Sequence, residues 1–287
     1  MIAILFSILT TTFILILFKL FPKYGIHTFH AIVVNYLTAF VTGIIIYGTT
    51  LKHEQFEDLS WLPYAILCSC LFISLFLLMG RSTQKNGMAL TSMSVKMSMA
   101  IALILMIIVY KEHITQLKVI GIICSLIGVY LLTYSKSNSS QKKSVGILVG
   151  LFIGCGILDF VLNFVQNNAL GKLSIPLFSA FSLGFAGIIG LVFIGVKGIK
   201  KSEYPSKKSI LAGIILGIPN FFSIYYLIKS YSSTNWDDST VLAILNISTV
   251  ISSTLFGYLL FKERLNSVKW VGMLISLVSI VLFYLSN

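Results

Sequence analysis

Ten apolar runs, each close to twenty residues long, leave this chain few ways to fold. They cover roughly 2–20, 31–49, 62–79, 88–110, 117–134, 146–165, 177–196, 210–228, 240–261 and 268–285. A helix needs about 20 apolar residues to cross hydrocarbon. In lipid it must also satisfy its own backbone hydrogen bonds. Of the 287 residues, 57% are hydrophobic and 10% are charged, and mean hydropathy is +0.95. A soluble domain cannot hide that much apolar surface. The expected fold class is therefore an all-α integral membrane protein of ten transmembrane helices. Met1–Leu20 reads as the first span rather than a leader peptide. No basic segment opens it, and Lys19, Phe21, Pro22 and Lys23 stand where a small-residue cleavage site would be.

The runs are organised by a duplication. Lys111-Glu112-His113-Ile114-Thr115, followed by Lys118, Gly121 and Ser125, recurs as Lys262-Glu263-Arg264-Leu265-Asn266, followed by Lys269, Gly272 and Ser276, at an offset of 151 residues. The polar stretch Ser135–Ser144 reads as a linker. The expected division is a five-helix repeat over 1–135, a linker over 136–145 and a second five-helix repeat over 146–287. Five crossings is an odd number, so the second copy enters the membrane upside down and the repeats are inverted. Both termini then share one face, here called the terminal face. Its loops carry five basic residues, Lys52, Lys111, Lys118, Lys172 and Lys229, against fifteen on the opposite face. Lysine and arginine favour the cytoplasmic side, so this count puts both termini outside the cytoplasm. The net charge of +12 fits loop lysines facing anionic lipid rather than nucleic acid.

Ionisable groups inside spans are expensive and mark function by default. Lys96 in span four and Asp159 in span six are the two that sit well inside. They are expected either to pair structurally or to line a polar cavity, where lysine attracts a carboxylate or phosphate and aspartate attracts an amine or a proton. Asn163 and Gln166 follow Asp159 at helical spacing and share its face. Asn35, Asn220 and Asn246 are further intramembrane amides. Pro219 frees a backbone carbonyl in mid-span, and Tyr225 lies deep enough to touch a solute. Glu112 and Glu263 end spans four and nine at opposite faces, a position suited to helix-end bonding. Small residues at four-residue spacing (Gly146, Gly150 and Gly154; Gly213 and Gly217; Gly121 with Ser125 and Gly272 with Ser276) are expected to pack helices closely. Trp61, Trp236 and Trp270 read as interfacial anchors. Cys68, Cys70, Cys124 and Cys155 read as small packing residues without metal spacing.

The span count, the duplication and the span-ending segments around Glu112 and Glu263 resemble the EamA-type ten-helix branch of the drug/metabolite transporter superfamily, along the whole chain. Asn35-Tyr36-Leu37-Thr38-Ala39 resembles span two of some bacterial members. The resemblance implies a cavity enclosed by spans one to four and six to nine, with spans five and ten outside it. It also implies cytoplasmic termini, against the basic-residue count, so orientation stays open. The chain departs from the family in two ways. Lys111 and Lys262 stand where members often have Gly, and spans four and nine lack the proline that many members carry.

The expected function is a secondary transporter that exports a small metabolite, an amino acid or a related polar or amphipathic compound, by alternating access. The alternative within the same fold is an exchanger of nucleotide sugars or phosphorylated metabolites. A proton or counter-substrate is the expected coupling partner, membrane lipid the surroundings, and a bacterial inner membrane the location. No Walker A pattern accompanies the spans, and no cofactor or nucleic-acid partner is expected. A membrane enzyme is disfavoured. An intramembrane aspartyl protease needs two carboxylates, and the spans offer Asp159 alone. His27, His30, His53 and His113 are scattered, without a convincing third metal ligand.

Overall fold

The computed structural model of the chain describes residues 2–51, 59–86, 91, 94–96, 98–111, 115–133, 145–170, 173–197, 206–261 and 267–285. Glu112, Glu263, His53, His113 and linker residues 136–144 lie outside the described residues. The described residues form ten α-helices and no strand. These are α1 (Ile2–Leu20), α2 (Thr28–Tyr47), α3 (Leu62–Asn86), α4 (Met99–Tyr110), α5 (Gln116–Thr133), α6 (Val145–Phe164), α7 (Ile175–Lys197), α8 (Lys207–Tyr231), α9 (Asp238–Phe261) and α10 (Ser267–Leu285). Seven of them, α1 to α3 and α6 to α9, are long and apolar enough to cross a membrane. The described parts of α4, α5 and α10 are shorter apolar helices.

Local chemistry explains the helix ends. Pro22 opens a short 3-10 turn, and Gly25 closes it at φ 64°, a left-handed conformation that costs glycine little. The Ser206 hydroxyl caps α8 by accepting the Ser209 N–H at 3.2 Å. Lys111 ends α4 at φ 52°, ψ 39°. That is the left-handed position glycine favours at a helix C-terminus. Pro219 leaves α8 unbroken: the helix runs through it from Lys207 to Tyr231. Proline has no N–H, so the Ile215 carbonyl one turn earlier lacks its usual helical donor.

The packing repeats as the sequence does. Helix α2 packs against α7 and α8, α3 against α6 and α7, α1 against α8 and α9, α4 against α6 and α9, and α5 against α10. Exchanging the two halves maps α1–α8 onto α3–α6, α2–α8 onto α3–α7 and α1–α9 onto α4–α6. This pattern is consistent with two inverted repeats about a pseudo-two-fold axis. Helices α5 and α10 pack chiefly on each other and on α9, at the edge of the bundle. Gly121 and Gly272 are both buried, and the Ser279 hydroxyl donates to the Gly121 carbonyl at 2.8 Å across the α5–α10 seam.

Two close approaches set the core. A Cβ on Gly213 or Gly217 would stand 2.7 Å from the Ala31 or Asn35 carbonyl oxygen, so α8 lies directly on the α2 backbone. A Cβ on Gly156 would stand 2.6 Å from the Ser98 carbonyl oxygen and 2.8 Å from Ile101 Cβ, so α6 meets the start of α4 just as closely. Polar side chains tie further helices together. Tyr36 donates to the Phe72 carbonyl and Ser69 to the Ser182 carbonyl, both at 2.7 Å. Trp61 is 2% exposed and stacks on Phe181, so it serves the core rather than the interface.

Candidate functional site

A central cavity of about 140 Å³ lies between α1, α3, the helical residues 94–96 before α4, α6, α8 and α9. Its polar wall gathers residues from both halves. Lys96 precedes α4, Asp159 comes from α6, Asn220 from α8 and Asn246 from α9. Ser7 and Thr11 of α1, Ser223 of α8 and Thr249 of α9 add hydroxyls, and Cys155 adds a thiol. Phe72, Leu75 and Phe76 of α3, with Leu158, form the apolar part.

The close approach at Gly156 explains why the two charges meet. Gly156 precedes Asp159 by less than one turn, and Ser98 follows Lys96 by two residues. Seating one backbone on the other brings lysine and aspartate to the same cavity. Lys96 Nζ donates to Asn246 Oδ1 at 3.0 Å. The Asp159 carboxylate attracts Lys96 electrostatically. The two stand farther apart than a 4.0 Å ion pair, so neither charge is locked by the other. The Nδ2 groups of Asn220 and Asn246 are buried without a hydrogen-bond partner among the described residues. Buried donors in native structures are nearly always paired, so such groups call for a solute or water.

On its terminal side the cavity adjoins a buried apolar cluster. Leu245, on its wall, belongs to a buried cluster with Ile4, Ile8, Ala102, Met106 and Tyr231. Beyond that cluster, Lys118 at the start of α5 forms an ion pair with Asp237 just before α9.

Three residues expected at the site lie elsewhere. Asn35 and Asn163 are fully buried but do not line the cavity. Tyr225 packs against Tyr47 with centroids 5.5 Å apart and accepts a bond from Lys229 Nζ at 3.0 Å, also away from the cavity. Gln166 falls in a π-helical turn, Val165–Ala169, where the α-helical spacing that placed it on the Asp159 face no longer holds. The cavity residues not singled out from sequence carried a signal all the same. Ser223 and Thr249 each follow a cavity asparagine by three residues, and Ser7 and Thr11 stand four apart on one face of α1.

Comparison with known proteins agrees with this architecture. Residues 1–134, and again residues 142–285, match the EamA-like transporter family. A solved crystal structure superimposes with a TM-score of 0.69 over 98% of this chain and 99% of its own, at 10% identity, a likeness of fold alone. An uncharacterized protein of Haemophilus influenzae is 27% identical over 288 residues, covering 98% of this chain and 97% of its own length. A Latilactobacillus sakei protein named for ribose uptake is 26% identical over 175 residues, 58% of this chain and 57% of its own. Matched in two copies along nearly its whole length, the chain belongs to the EamA-like transporter family of multi-pass membrane proteins.

Proposed function

We propose that the chain exports a small amphipathic metabolite, an amino acid or a close relative, by alternating access at the central cavity. The observation that carries this reading is Lys96 and Asp159 on one cavity wall without an ion pair between them. A zwitterion offers a carboxylate to Lys96 and an ammonium to Asp159, which compensates both charges in a poorly hydrated site. The free Nδ2 groups of Asn220 and Asn246 add donors for the carboxylate. Phe72, Leu75 and Phe76 take the apolar side chain. The volume of about 140 Å³ lies below the roughly 300 Å³ at which sites for drug-sized ligands begin. A nucleotide sugar or phosphorylated metabolite would also bring two negative charges to one lysine beside a carboxylate, which disfavours that class. Asp159 is the one carboxylate lining the cavity among the described residues, and it is the proposed proton-coupling group. The relatives named above are bacterial, which supports placement in a bacterial plasma membrane.

A pentose is the second reading, supported by the relative named for ribose uptake and by the amides and hydroxyls of the cavity. Purified protein in liposomes separates the two. Counterflow of leucine should fall at least tenfold, the equivalent of about 1.4 kcal/mol, in both Lys96→Met and Asp159→Asn. Asp159→Asn should also lose its response to an imposed pH gradient. Unchanged leucine counterflow in both variants, with ribose counterflow lost in Asn220→Ala, would instead favour the sugar. Loading substrate inside or outside the vesicles reads the direction of transport.

A further inference from the structure

The face opposite the termini carries a second polar pocket, whose lining residues are distinct from those of the central cavity. Its wall combines Pro22, Ile26 and His27 of the α1–α2 connection and Thr28 and Phe29 of α2 with Leu77 and Arg81 of α3. We propose that this pocket seats the phosphate of an anionic lipid headgroup, held by Arg81, His27 and Thr28.

Four observations carry the proposal. First, the pocket is built on a fixed turn. Ile26 N–H bonds the Phe21 carbonyl at 3.0 Å, and His27 N–H donates to the Ser209 hydroxyl of α8, also at 3.0 Å. Gly80 completes the seat. A Cβ there would stand 2.6 Å from Thr28 Cγ2, so the missing side chain lets the start of α2 rest on α3 beside Arg81. Second, the Arg81 guanidinium is exposed and makes no hydrogen bond or ion pair among the described residues. An arginine fork facing outward at a membrane boundary fits phosphate geometry.

Third, basic residues flank the elements that build the pocket. Lys23 follows α1, and Lys207 and Lys208 open α8, whereas the Lys19 ammonium lies over the Phe261 ring. By helix order the opposite face holds fifteen basic and two acidic residues, and the terminal face five and six. The net charge of +12 therefore resides on the face that carries this pocket. Fourth, the pocket is amphipathic. Ile26, Leu77 and Phe29 supply an apolar floor beneath the basic rim. A phospholipid, whose glycerol and acyl carbons adjoin its phosphate, covers both parts, whereas free phosphate covers the rim alone. Basic pockets between helices at a membrane boundary are recurrent headgroup sites. The inference is independent of what the central cavity carries.

The test is retention of dioctanoyl phosphatidylglycerol, dioctanoyl phosphatidylcholine and inorganic phosphate by the purified full chain, read by native mass spectrometry. Arg81→Gln is compared with Arg81→Lys, His27→Gln and, on the terminal face, Lys229→Gln, each checked for folding by its melting temperature. Diffuse attraction to an anionic surface predicts a roughly fivefold loss for any basic residue near it. A seated headgroup predicts a loss of about tenfold or more for phosphatidylglycerol in Arg81→Gln, a smaller one in Arg81→Lys and His27→Gln, and none in Lys229→Gln. Phosphatidylcholine retention should stay unchanged throughout. Equal losses across all variants would overturn the site, as would wild-type retention by Arg81→Gln. Displacement of the lipid by millimolar inorganic phosphate would overturn the assignment to lipid. If Arg81→Gln fails to fold, Arg81→Lys and His27→Gln decide, and wild-type retention in both overturns the proposal.

Discussion

Two glycines on the same helix should respond to alanine in opposite directions. At Gly156 the added Cβ would stand 2.6 Å from the Ser98 carbonyl oxygen and 2.8 Å from Ile101 Cβ. Ordinary contact begins near 3.4 Å, so α6 and the start of α4 must separate by roughly 0.8 Å. Trimming Ile101 to alanine offers no relief, because its Cβ and the Ser98 backbone remain. Overpacking of this kind costs about 1–3 kcal/mol. It also moves Asp159 away from Lys96, because the glycine sits within a turn of one and the serine within a turn of the other. At Gly146 a Cβ meets nothing within 4 Å among the described residues, so alanine there, in the first turn of α6, gains helix propensity worth some part of the about 1 kcal/mol of a helix interior. The assay is the melting temperature of each purified variant in one detergent, paired with leucine counterflow in liposomes. Gly156→Ala should melt below the parent and lose transport, whereas Gly146→Ala should melt at or above it and retain transport. Equal melting and equal transport in the two variants would refute the argument that the crossing at Gly156 positions the charged pair.

Two further outcomes follow from geometry already described. Lys111 holds φ 52° without being glycine, so Lys111→Gly should raise the melting temperature through about 1 kcal/mol of relieved backbone strain. An unchanged or lower value would show that the left-handed turn is cost-free there. Cys155 lines the cavity and Cys68 is fully buried away from it. In a background with Cys70 and Cys124 replaced by serine, a small methanethiosulfonate reagent should label Cys155, and leucine should slow that labelling. Labelling of Cys68 in its place would contradict the assigned cavity wall.

Much of the fold was legible because the bilayer imposes a simple rule on sequence. Each of the ten apolar runs corresponds to one of the ten described helices; most ends shift by a few residues, while α4 as described starts at Met99 within the run 88–110. Helix α3 continued to Asn86 because nothing in its last turns stops a helix. Lys96 and Asp159 were legible for the same reason, since a charge in a span is too costly to leave unexplained. The asparagines show where that signal ends. Asn35, Asn163, Asn220 and Asn246 are equally polar in equally apolar helices, yet two line the cavity and two do not. Which side of a helix faces inward depends on its rotation against its neighbours, and these spans are apolar nearly all round. Gly156 escaped notice for a related reason. It lies outside the four-residue stripe of Gly146, Gly150 and Gly154, and only the approach of the Ser98 carbonyl reveals its importance.

The bond between Lys96 and Asn246 has an evolutionary consequence. It joins equivalent regions of the two halves, and at the 151-residue offset Asn246 corresponds to Val95, and Lys96 to Ile247. Each half supplies one polar residue of the bond, and the other half carries an aliphatic residue at the corresponding position. Two copies of the first half would present two lysines without their asparagine, and two copies of the second half would present two asparagines without a lysine. A pair of identical subunits built from either half would therefore lack the donor–acceptor bond that the joined halves make.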